Sequence, residues 1–273
     1  MMIFRKGLFL GPLPLDRGKK MKSTTVIALA GKGGVGKTSI SALTVRLLAQ
    51  NYPDKKILAI DADPAVGLAT ALDVEVCSTV DDIRKAFVRS AEEGNTAAAV
   101  EMLGEAKYRL MDTLTECKNI SFLAIGRPEA AGCYCKVNAY LKQVITLIAG
   151  CFDYVVIDGE AGIEQINRRV MEKVTHLILV SDASRKGLQV AKTIHTVAKE
   201  LVMFEKVGLT VNRMPDMSLQ GQLDTGEIPL LSCIADDRAM SMCDMMGNSV
   251  FSLPEDTQIL RGVKRSLTAL DIL

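Results

Sequence analysis

The chain has 273 residues, with 33 Lys and Arg against 32 Asp and Glu and a formal net charge of +1. This balance gives no bulk electrostatic attraction to nucleic acid or to an anionic membrane. Trp is absent and aromatic residues make up 4% of the chain, so few side chains are available to stack on bases. The length fits one large doubly wound domain, and the hydrophobic content of 48% suits a parallel sheet covered on both faces.

The seven cysteines do not follow the spacing of a disulfide framework. Their number is odd and their spacing is irregular, which argues against a secreted, disulfide-stabilised scaffold. We therefore expect reduced thiols, most of them small buried side chains, and a reducing cytoplasmic location. They are Cys77, Cys117, Cys133, Cys135, Cys151, Cys233 and Cys243.

Residues 1–22 differ in character from the rest of the chain, because their apolar clusters are short and are interrupted by basic residues and prolines. A secretory signal would place its charges ahead of a longer apolar run and end at a small-residue cleavage site. No run approaches the roughly 20 apolar residues of a membrane span. We expect an N-terminal extension that is disordered, or a misassigned start with Met21 as the alternative initiator. Residues 23–273 are expected to form the folded domain.

A phosphate-binding loop is predicted between the first strand and the first helix of this domain. An apolar, β-branched run over Thr24–Leu29 precedes a glycine-rich sequence, and a helical pattern over Ile40–Ala49 follows it. The glycines let successive backbone N–H groups face one anion, and the helix N-terminus adds partial positive charge. The motif G-x-x-x-x-G-K-[ST] predicts binding of a nucleoside triphosphate with Mg²⁺. The motif covers Gly31, Lys32, Gly33, Gly34, Val35, Gly36, Lys37 and Thr38, and the next residue, Ser39, is also expected to bind the nucleotide.

The two lysines of this loop have different expected roles. Lys37 is placed to reach the β- and γ-phosphates, and Thr38 to ligate Mg²⁺. Lys32 follows the first glycine, at a position where the basic motif needs no lysine. It is either a solvated loop residue or a second cation directed at phosphates, including those of a partner subunit.

Two further apolar strands end in carboxylates. The strand Lys56–Asp61 is followed by Asp63 and Pro64, and a later strand ends at Asp158. Because the carboxyl ends of parallel strands share the sheet edge with the phosphate loop, the carboxylates of Asp61 and Asp63 predict handling of a metal or of water near the γ-phosphate. A turn closed by Pro64 is the alternative for the first group.

A Cys-x-Cys pair, Cys133 and Cys135, lies in the loop after the predicted strand Ile120–Gly126. In an extended segment the two sulfurs can face one ion, and two thiolates supply half of a tetrahedral S₄ site. A two-fold axis through the ion would supply the other half from a second subunit. Because the loop leaves the carboxyl end of a strand, we expect it on the nucleotide side of the sheet. Two uninvolved thiols or a strained local disulfide are the alternatives.

No catalytic or binding role is predicted for the segment Val80–Cys117 or for the two histidines. The segment Val80–Cys117 is helical in pattern, with breaks predicted at Gly94 and Gly104. His176 and His195 lack ligand partners by spacing and are predicted to be structural.

The rest of the chain continues the alternation of strands and helices. Strands are predicted over 176–182 and Lys206–Met214, a methionine-rich helix over Asp236–Met246, and a terminal helix from Pro254. The methionines are expected to be adaptable core. The pattern predicts an α/β fold with a single doubly wound, mostly parallel sheet of about seven strands.

The sequence KGGVGKT resembles the deviant Walker A family of dimeric P-loop ATPases. That family includes the nitrogenase iron protein and the arsenite-pump, cell-division and plasmid-partition ATPases. The resemblance implies that Lys32 crosses a face-to-face dimer to the nucleotide of the partner subunit. It also implies that Asp63 orients the attacking water and that Asp158 holds a Mg²⁺-bound water. Together with Lys37, these residues form the implied catalytic set.

The same resemblance implies further contacts to ATP. An asparagine at a strand end bonds the adenine amino group in that family, and Asn212 holds this position here. A backbone N–H four residues after the strand aspartate contacts the γ-phosphate, which implies this role for Gly162. A later segment, Glu227–Leu230, is expected to form the wall of the adenine pocket. The nucleotide-binding residues implied outside the loop are Asp61, Gly162, Asn212, Arg213 and Pro229.

A narrower resemblance covers nearly everything from residue 23 onward. The segments KGGVGKT, DADP, GRPE, GCYCKVN, DYVVIDGEAG and VNRM resemble those of the nickel-inserting ATPases of carbon monoxide dehydrogenase maturation, including relatives that serve acetyl-CoA synthase. This implies an ATP-hydrolysing homodimer, bridged by ATP and metal, that delivers nickel to one of these enzymes. Cys133 and Cys135 of two subunits would bind one Ni²⁺ or Zn²⁺ across the dimer axis. No nucleic acid or membrane partner is expected.

Three other functions stay open at this point. An iron-protein-like reductase would hold a [4Fe–4S] cluster through cysteines of two separated loops, but no cysteine closely follows Asp158. A positioning or partition ATPase would need a basic patch or a terminal amphipathic basic helix, and the segment Arg261–Leu267 has some basic character. A regulatory metal-binding protein would hydrolyse little ATP.

Overall fold

The computed structural model describes residues 5–6, 24–93, 96–126, 135–161, 166, 170–171 and 173–273. Within these ranges nine strands form one sheet. Seven of the strands are parallel to one another, and the other two add antiparallel pairs at one edge. The predicted α/β fold with a single, mostly parallel sheet is therefore confirmed.

The order of the strands across the sheet is β1-β4-β5-β3-β6-β2-β7-β8-β9. In chain order they are β1 (Arg5–Lys6), β2 (Thr25–Gly31), β3 (Ile57–Asp61), β4 (Thr115–Cys117), β5 (Ile120–Ala124), β6 (Tyr154–Ala161), β7 (His176–Ser181), β8 (Lys206–Met214) and β9 (Leu230–Ala235).

The α-helices of the described ranges are α1 (Lys37–Asn51), α2 (Gly67–Leu72), α3 (Val80–Glu92), α4 (Thr96–Asp112), α5 (Cys135–Ala149), α6 (Arg185–Leu201), α7 (Arg238–Met245) and α8 (Gln258–Ala269). Short 3₁₀ helices cover Met217–Gln222 and Val250–Ser252. None of the helices described has both the length and the apolar character needed to cross a bilayer.

Helices cover both faces of the sheet, as a doubly wound fold requires. Both faces need cover because the strands are apolar on both sides, as strand β2 shows. Ile27 packs into a core shared with Leu43 of α1, and Ala28 into the opposite core with Ile145 of α5. Helices α1, α2, α7 and α8 contribute to the first core, and α3 to α6 to the second. The sheet is thereby buried, and its carboxyl edge carries the loops.

Several elements differ from the sequence prediction. Gly104 lies within α4 and not at a break, because strong helix formers around it absorb a cost of about 1 kcal/mol relative to alanine. Strand β4 occupies the end of the segment predicted to be helical. The predicted break at Gly94 lies outside the described residues. Helix α8 begins at Gln258 rather than at Pro254.

The methionine-rich helix α7 is only partly core, so this prediction is wrong for three of its residues. Met240 and Cys243, one helical turn apart, are buried on one face. Met242, Met245 and Met246 are 42%, 71% and 63% exposed on the other. A short surface helix has room for one apolar face, and the remaining methionines therefore contact solvent.

Most of the predicted N-terminal extension lies outside the described residues. Its two described residues form β1, and their backbone pairs with Thr115 and Glu116 of β4. The boundary at residue 23 stays a prediction.

Candidate functional site

The phosphate loop connects β2 to α1, in the context that the motif predicts. Gly36 precedes the helix with a φ of 89°. A Cβ at Gly36 would lie 2.5 Å from Asn212 Nδ2, so glycine is needed both for the backbone conformation and for the close approach of β8. Gly33 and Gly34 are exposed at the top of the loop, and Val35 is buried beneath it.

Lys37 lies inside the loop and is buried. Its Nζ donates hydrogen bonds to Gly31 O at 3.2 Å and to Lys32 O at 3.1 Å. The first turn of α1 contains no acidic residue that would compete for an anion. A phosphate entering the loop would therefore meet a fixed ammonium and the free N–H groups of the helix N-terminus.

Lys32 lies on the outer side of the loop, and its side chain is 35% exposed. Its Nζ donates to Asp182 Oδ2 at 3.1 Å. Asp182 directly follows β7 and accepts a second hydrogen bond from Ser184 N at 3.0 Å. Partial burial raises the pKa of Asp182, but the hydrogen bonds from Ser184 and Lys32 hold it below its ordinary value. Lys32 is thus paired within its own chain, and its predicted role across a dimer requires this pair to open.

Two buried carboxylates lie side by side at the carboxyl edge of the sheet. Asp61 of β3 and Asp158 of β6 are register partners, and neither has exposed surface. Burial and the nearby Asp158 raise the pKa of Asp61 to about 7. Burial also raises the pKa of Asp158 to about 6, against the lowering effects of the Thr38 and Ser41 hydroxyls and of Lys37. Such a pair is stabilised by an added positive charge.

The two carboxylates differ in their hydrogen bonds. Asp61 Oδ1 accepts from Asp63 N at 3.1 Å, and Oδ2 accepts from Leu68 N at 2.9 Å, at the start of α2. Asp158 Oδ1 accepts from Ser41 Oγ, whereas its buried Oδ2 has no hydrogen-bond partner among the described residues. Asp61 therefore holds the chain segment that carries Asp63, and Asp158 retains one unused oxygen.

This unused oxygen fits a magnesium ion. Mg²⁺ takes oxygen ligands and keeps several waters, and the Thr38 hydroxyl lies beside the Asp158 carboxylate. The residues present would hold the ion through Thr38 directly and through Asp158 by way of water. Within the described residues no group of three or more His, Cys, Asp and Glu side chains forms a further metal cluster.

A cleft of about 600 Å³ opens above the loop. Asp63 lines it together with Gly33, Gly34, Lys37 and Thr38. Asp63 is half-buried, and its Oδ1 accepts a hydrogen bond from Ala65 N at 2.9 Å. The predicted water-orienting carboxylate and the predicted phosphate ligands thus share one cavity.

Asn212 lies beside the phosphate loop, where the adenine base is predicted to bind, and is 4% exposed. Its Nδ2 donates to Val35 O at 2.9 Å, which leaves Oδ1 as an acceptor. An acceptor matches the amino group of adenine and not the carbonyl oxygen of guanine. The neighbouring Arg213 donates from Nη1 to Gly34 O at 3.1 Å and therefore supports the loop from outside.

Pro229 precedes β9, where its carbonyl accepts from Leu209 N at 2.8 Å, and it is not among the described residues that line the cleft. Its place in the adenine pocket stays a prediction. Residues that follow the other end of β9 line a hollow beside Asn212, namely Asp236, Asp237, Met240, Ser241 and Asp244. They were not predicted because β9 was not recognised as a strand.

The cysteine loop begins beside the nucleotide site. Ile125 N, directly after β5, donates to Asp61 O at 2.8 Å. Gly126 has a φ of 84°, and a Cβ there would lie 2.6 Å from Thr79 Oγ1. Cys135 is the first residue of α5, not part of an extended segment as predicted.

Two of the predicted residues, Cys133 and Gly162, lie outside the described residues. The two histidines have structural surroundings. His176 Nδ1 lies 2.7 Å from Thr175 Oγ1, and the ring of His195 lies 6.4 Å from that of Phe204. Burial lowers the pKa of both histidines.

We expect the buried carboxylates to make the nucleotide-free protein less stable as the pH rises. Both pKa values lie above the ordinary 3.8, so the folded state keeps these protons to a higher pH than the unfolded chain. Their contribution to the free energy of unfolding is full below pH 3.8 and is lost as the pH rises through about 6 to 7. Calorimetry suits this measurement because the chain has no Trp. Mg-ADP should flatten the dependence, and an equal slope with and without Mg-ADP would contradict the assignment.

The site belongs to a chain with recognisable relatives. The sequence profile described as anion-transporting ATPase matches residues 24–162. An uncharacterised ATP-binding protein of Methanocaldococcus jannaschii is 34% identical over 243 residues, which cover 88% of this chain and 95% of that protein. The carbon monoxide dehydrogenase accessory protein CooC of Rhodospirillum rubrum is 29% identical over 240 residues, covering 83% of this chain and 89% of CooC.

Solved structures share the fold. The septum site-determining protein MinD of Pyrococcus horikoshii, complexed with Mg-ADP, has a TM-score of 0.64 at 21% identity and covers 91% of this chain and 96% of its own. A ParA family ATPase of Chlorobium tepidum has a TM-score of 0.63 at 18% identity, covering 91% and 98%. Because the family profile covers more than half of the chain and the M. jannaschii protein is similar over most of it, this chain belongs to the anion-transporting ATPase family of P-loop ATPases.

Proposed function

We propose that this protein is a dimeric ATPase that delivers nickel to a carbon monoxide dehydrogenase or acetyl-CoA synthase. The observation that carries the proposal is the similarity to CooC, a carbon monoxide dehydrogenase accessory protein, over most of both chains. The Cys-x-Cys pair supports it, since two subunits would together supply four thiolates for one ion. Ni²⁺ is the cargo in this proposal, and Zn²⁺ is a competing ion.

The hydrogen bonding of Ile125, just before the cysteine loop, supports a link between metal and nucleotide. Through its backbone carbonyl, Asp61 accepts the hydrogen bond of Ile125 at the start of the loop. Through its side chain, it accepts from Asp63 N at the cleft. A rearrangement of the cleft would therefore act on the loop through one residue. Cys135 is the first residue of helix α5.

In the proposed cycle, ATP brings two protomers together at their nucleotide edges. Lys32 leaves Asp182 and reaches the nucleotide of the partner, while Lys37 stays on the phosphates of its own site. Asp63 orients the attacking water, and the Gly162 N–H contacts the γ-phosphate. The two ammonium groups stabilise the charge that develops on the transferring phosphoryl group. Bound Mg²⁺ supplies further positive charge at the phosphates.

Delivery requires that nickel binds with different affinity before and after hydrolysis. A ligand shifts a conformational equilibrium only by its differential affinity for the two states. Closure of the dimer would bring the paired cysteines of two subunits together, and reopening would separate them. The closed state is therefore expected to bind nickel more tightly than the open state.

Reconstitution of a nickel-free recipient tests this function. Nickel-loaded protein and ATP should restore activity to a carbon monoxide dehydrogenase purified without nickel. A non-hydrolysable ATP analogue should restore little, because the closed state would retain the metal. Equal activation without nucleotide, or by the Cys133→Ala/Cys135→Ala variant, would contradict the proposal.

One structural observation argues against a membrane-positioning ATPase. The terminal helix α8 has the amphipathic, partly basic sequence that such a function would use. Its apolar side chains Ile259, Val263 and Leu267 are each at most 3% exposed, because they pack into the core beside α1. The apolar face of α8 is therefore already occupied in this fold.

A further inference from the structure

A buried hydroxyl connects the helix of the phosphate loop to Asp158. Ser41 lies on α1 one turn after Thr38, and neither Ser41 nor Asp158 has exposed surface. Ser41 Oγ donates to Asp158 Oδ1 at 2.8 Å, across 117 residues of sequence. Helix residues three apart lie on the same side, so the hydroxyls of Thr38 and Ser41 both meet this carboxylate.

The hydroxyl of Ser41 does not bond to its own helix. Ser and Thr inside helices commonly donate to the carbonyl four residues earlier, and Thr44 of α1 does so, from Oγ1 to Ile40 O at 2.8 Å. A hydroxyl has one proton to donate, and Ser41 donates it to Asp158. The two buried hydroxyls of α1, Ser41 and Thr44, thus have different hydrogen-bond partners. Variants of Thr44 are therefore a matched control for variants of Ser41.

The bond makes the two oxygens of Asp158 unequal. Oδ1 is held by Ser41, while Oδ2 has no partner within the described part of the chain. Rotation of the carboxylate about its Cβ–Cγ bond would break a charge-assisted hydrogen bond. Ser41 therefore holds Oδ1 and leaves Oδ2 available.

We propose that Ser41 is a positioning residue that orients Asp158 for the magnesium ion of the bound nucleotide. The inference rests on the proposed use of Mg-ATP, and it deepens that site by adding a residue that acts only through Asp158. It is independent of nickel and of the recipient enzyme. Ser41 matches no position of the phosphate-loop motif, which ends at Thr38.

The Mg²⁺ dependence of ADP binding tests this role without relying on turnover. Calorimetric titrations of ADP would be made in EDTA and over a series of Mg²⁺ concentrations. For Ser41→Ala, the half-saturating Mg²⁺ concentration should rise about 10-fold, the lower end of the range for residues that support a metal site by hydrogen bonding, because Asp158 would reach the ion through water. ADP affinity in EDTA should stay at the wild-type value, because Ser41 does not contact the phosphate loop in the proposed role.

Three variants control for loss of packing. Thr44→Val removes the other buried hydroxyl of α1 and should leave the Mg²⁺ dependence unchanged. Ser41→Thr restores a hydroxyl and should recover most of the wild-type behaviour, and Ser41→Cys, with a weaker donor, should lie between Thr and Ala. The melting temperature of each variant, measured by circular dichroism, identifies those that fold.

The outcomes separate this inference from the proposed function. A folded Ser41→Ala or Ser41→Cys protein with wild-type Mg²⁺ dependence would overturn the role of Ser41 alone. An equal shift in Thr44→Val would also overturn it, since the effect would then be one of packing. A wild type that binds ADP equally with and without Mg²⁺ would overturn the magnesium site and this inference together.

Discussion

The Lys32→Ala variant is expected to bind ATP normally and to hydrolyse it about 10³-fold more slowly than the wild type. Lys37 alone occupies the inside of the loop, so the affinity for phosphates should survive. A cation supplied to the transferring phosphoryl group from a partner is worth about 10³- to 10⁵-fold in other nucleotide hydrolases. Phosphate release at saturating ATP, combined with ATP affinity from calorimetry, checks this result. Near-normal turnover would show that Lys32 is only a solvated loop residue.

The Asp182→Asn variant should release Lys32 and slightly strengthen ATP-dependent dimerisation, an effect much smaller than that of Lys32→Ala. The substitution removes the charge that holds Lys32 but keeps the oxygen that accepts from Ser184 N. Because both partners are about a third exposed, the pair is worth at most about 1 kcal/mol, and ATP-dependent dimerisation should strengthen by no more than about fivefold. Asp224→Asn, which breaks the exposed pair with Lys192, is the matched control and should change nothing. A loss of dimer in Asp182→Asn would contradict the proposed release of Lys32.

The Asp158→Asn variant is expected to lose about 10²- to 10³-fold in the rate of hydrolysis, as when one preorganised group of an active site is removed. It should also be more stable than the wild type at pH 7.5 without nucleotide. Burial disfavours the ionised carboxylate, and the neutral amide avoids this cost. The difference in melting temperature should shrink as the pH falls through about 6 and vanish below pH 3.8, where the carboxyl is protonated in both the folded and unfolded states. A variant that is less stable at pH 7.5 would contradict the assignment.

The architecture was largely predictable because the strongest sequence signals are local. The glycine-rich loop and the apolar runs that end at Asp61 and Asp158 each lie in one short segment. These segments were enough to predict a parallel sheet. Strand β9 was missed because Leu230–Ala235 is short and lies at the edge of the sheet, where pairing with β8 defines it. Gly104 and the exposed methionines of α7 were misjudged because burial depends on tertiary packing, which residue type predicts weakly.

Within the site, the motif residues could be predicted from the sequence, but the side chains that hold them in place could not. Ser41 meets Asp158, and Lys32 meets Asp182, across 117 and 150 residues of sequence. Both supporting residues are common polar types that no motif singles out. Contacts of this kind follow from the order of strands in the sheet, so they require the folded structure.

The proposed interfacial metal site is best tested by metal stoichiometry measured together with oligomer mass. Ni²⁺ and Zn²⁺ would be titrated into the wild type and into Cys133→Ala/Cys135→Ala, with ADP and with a non-hydrolysable ATP analogue. The exposed Cys77 supplies the control variant Cys77→Ala. We expect one metal ion per two chains, a dimer that holds it, and loss of the ion in the double variant alone. One ion per chain, or an ion retained by the double variant, would contradict this expectation.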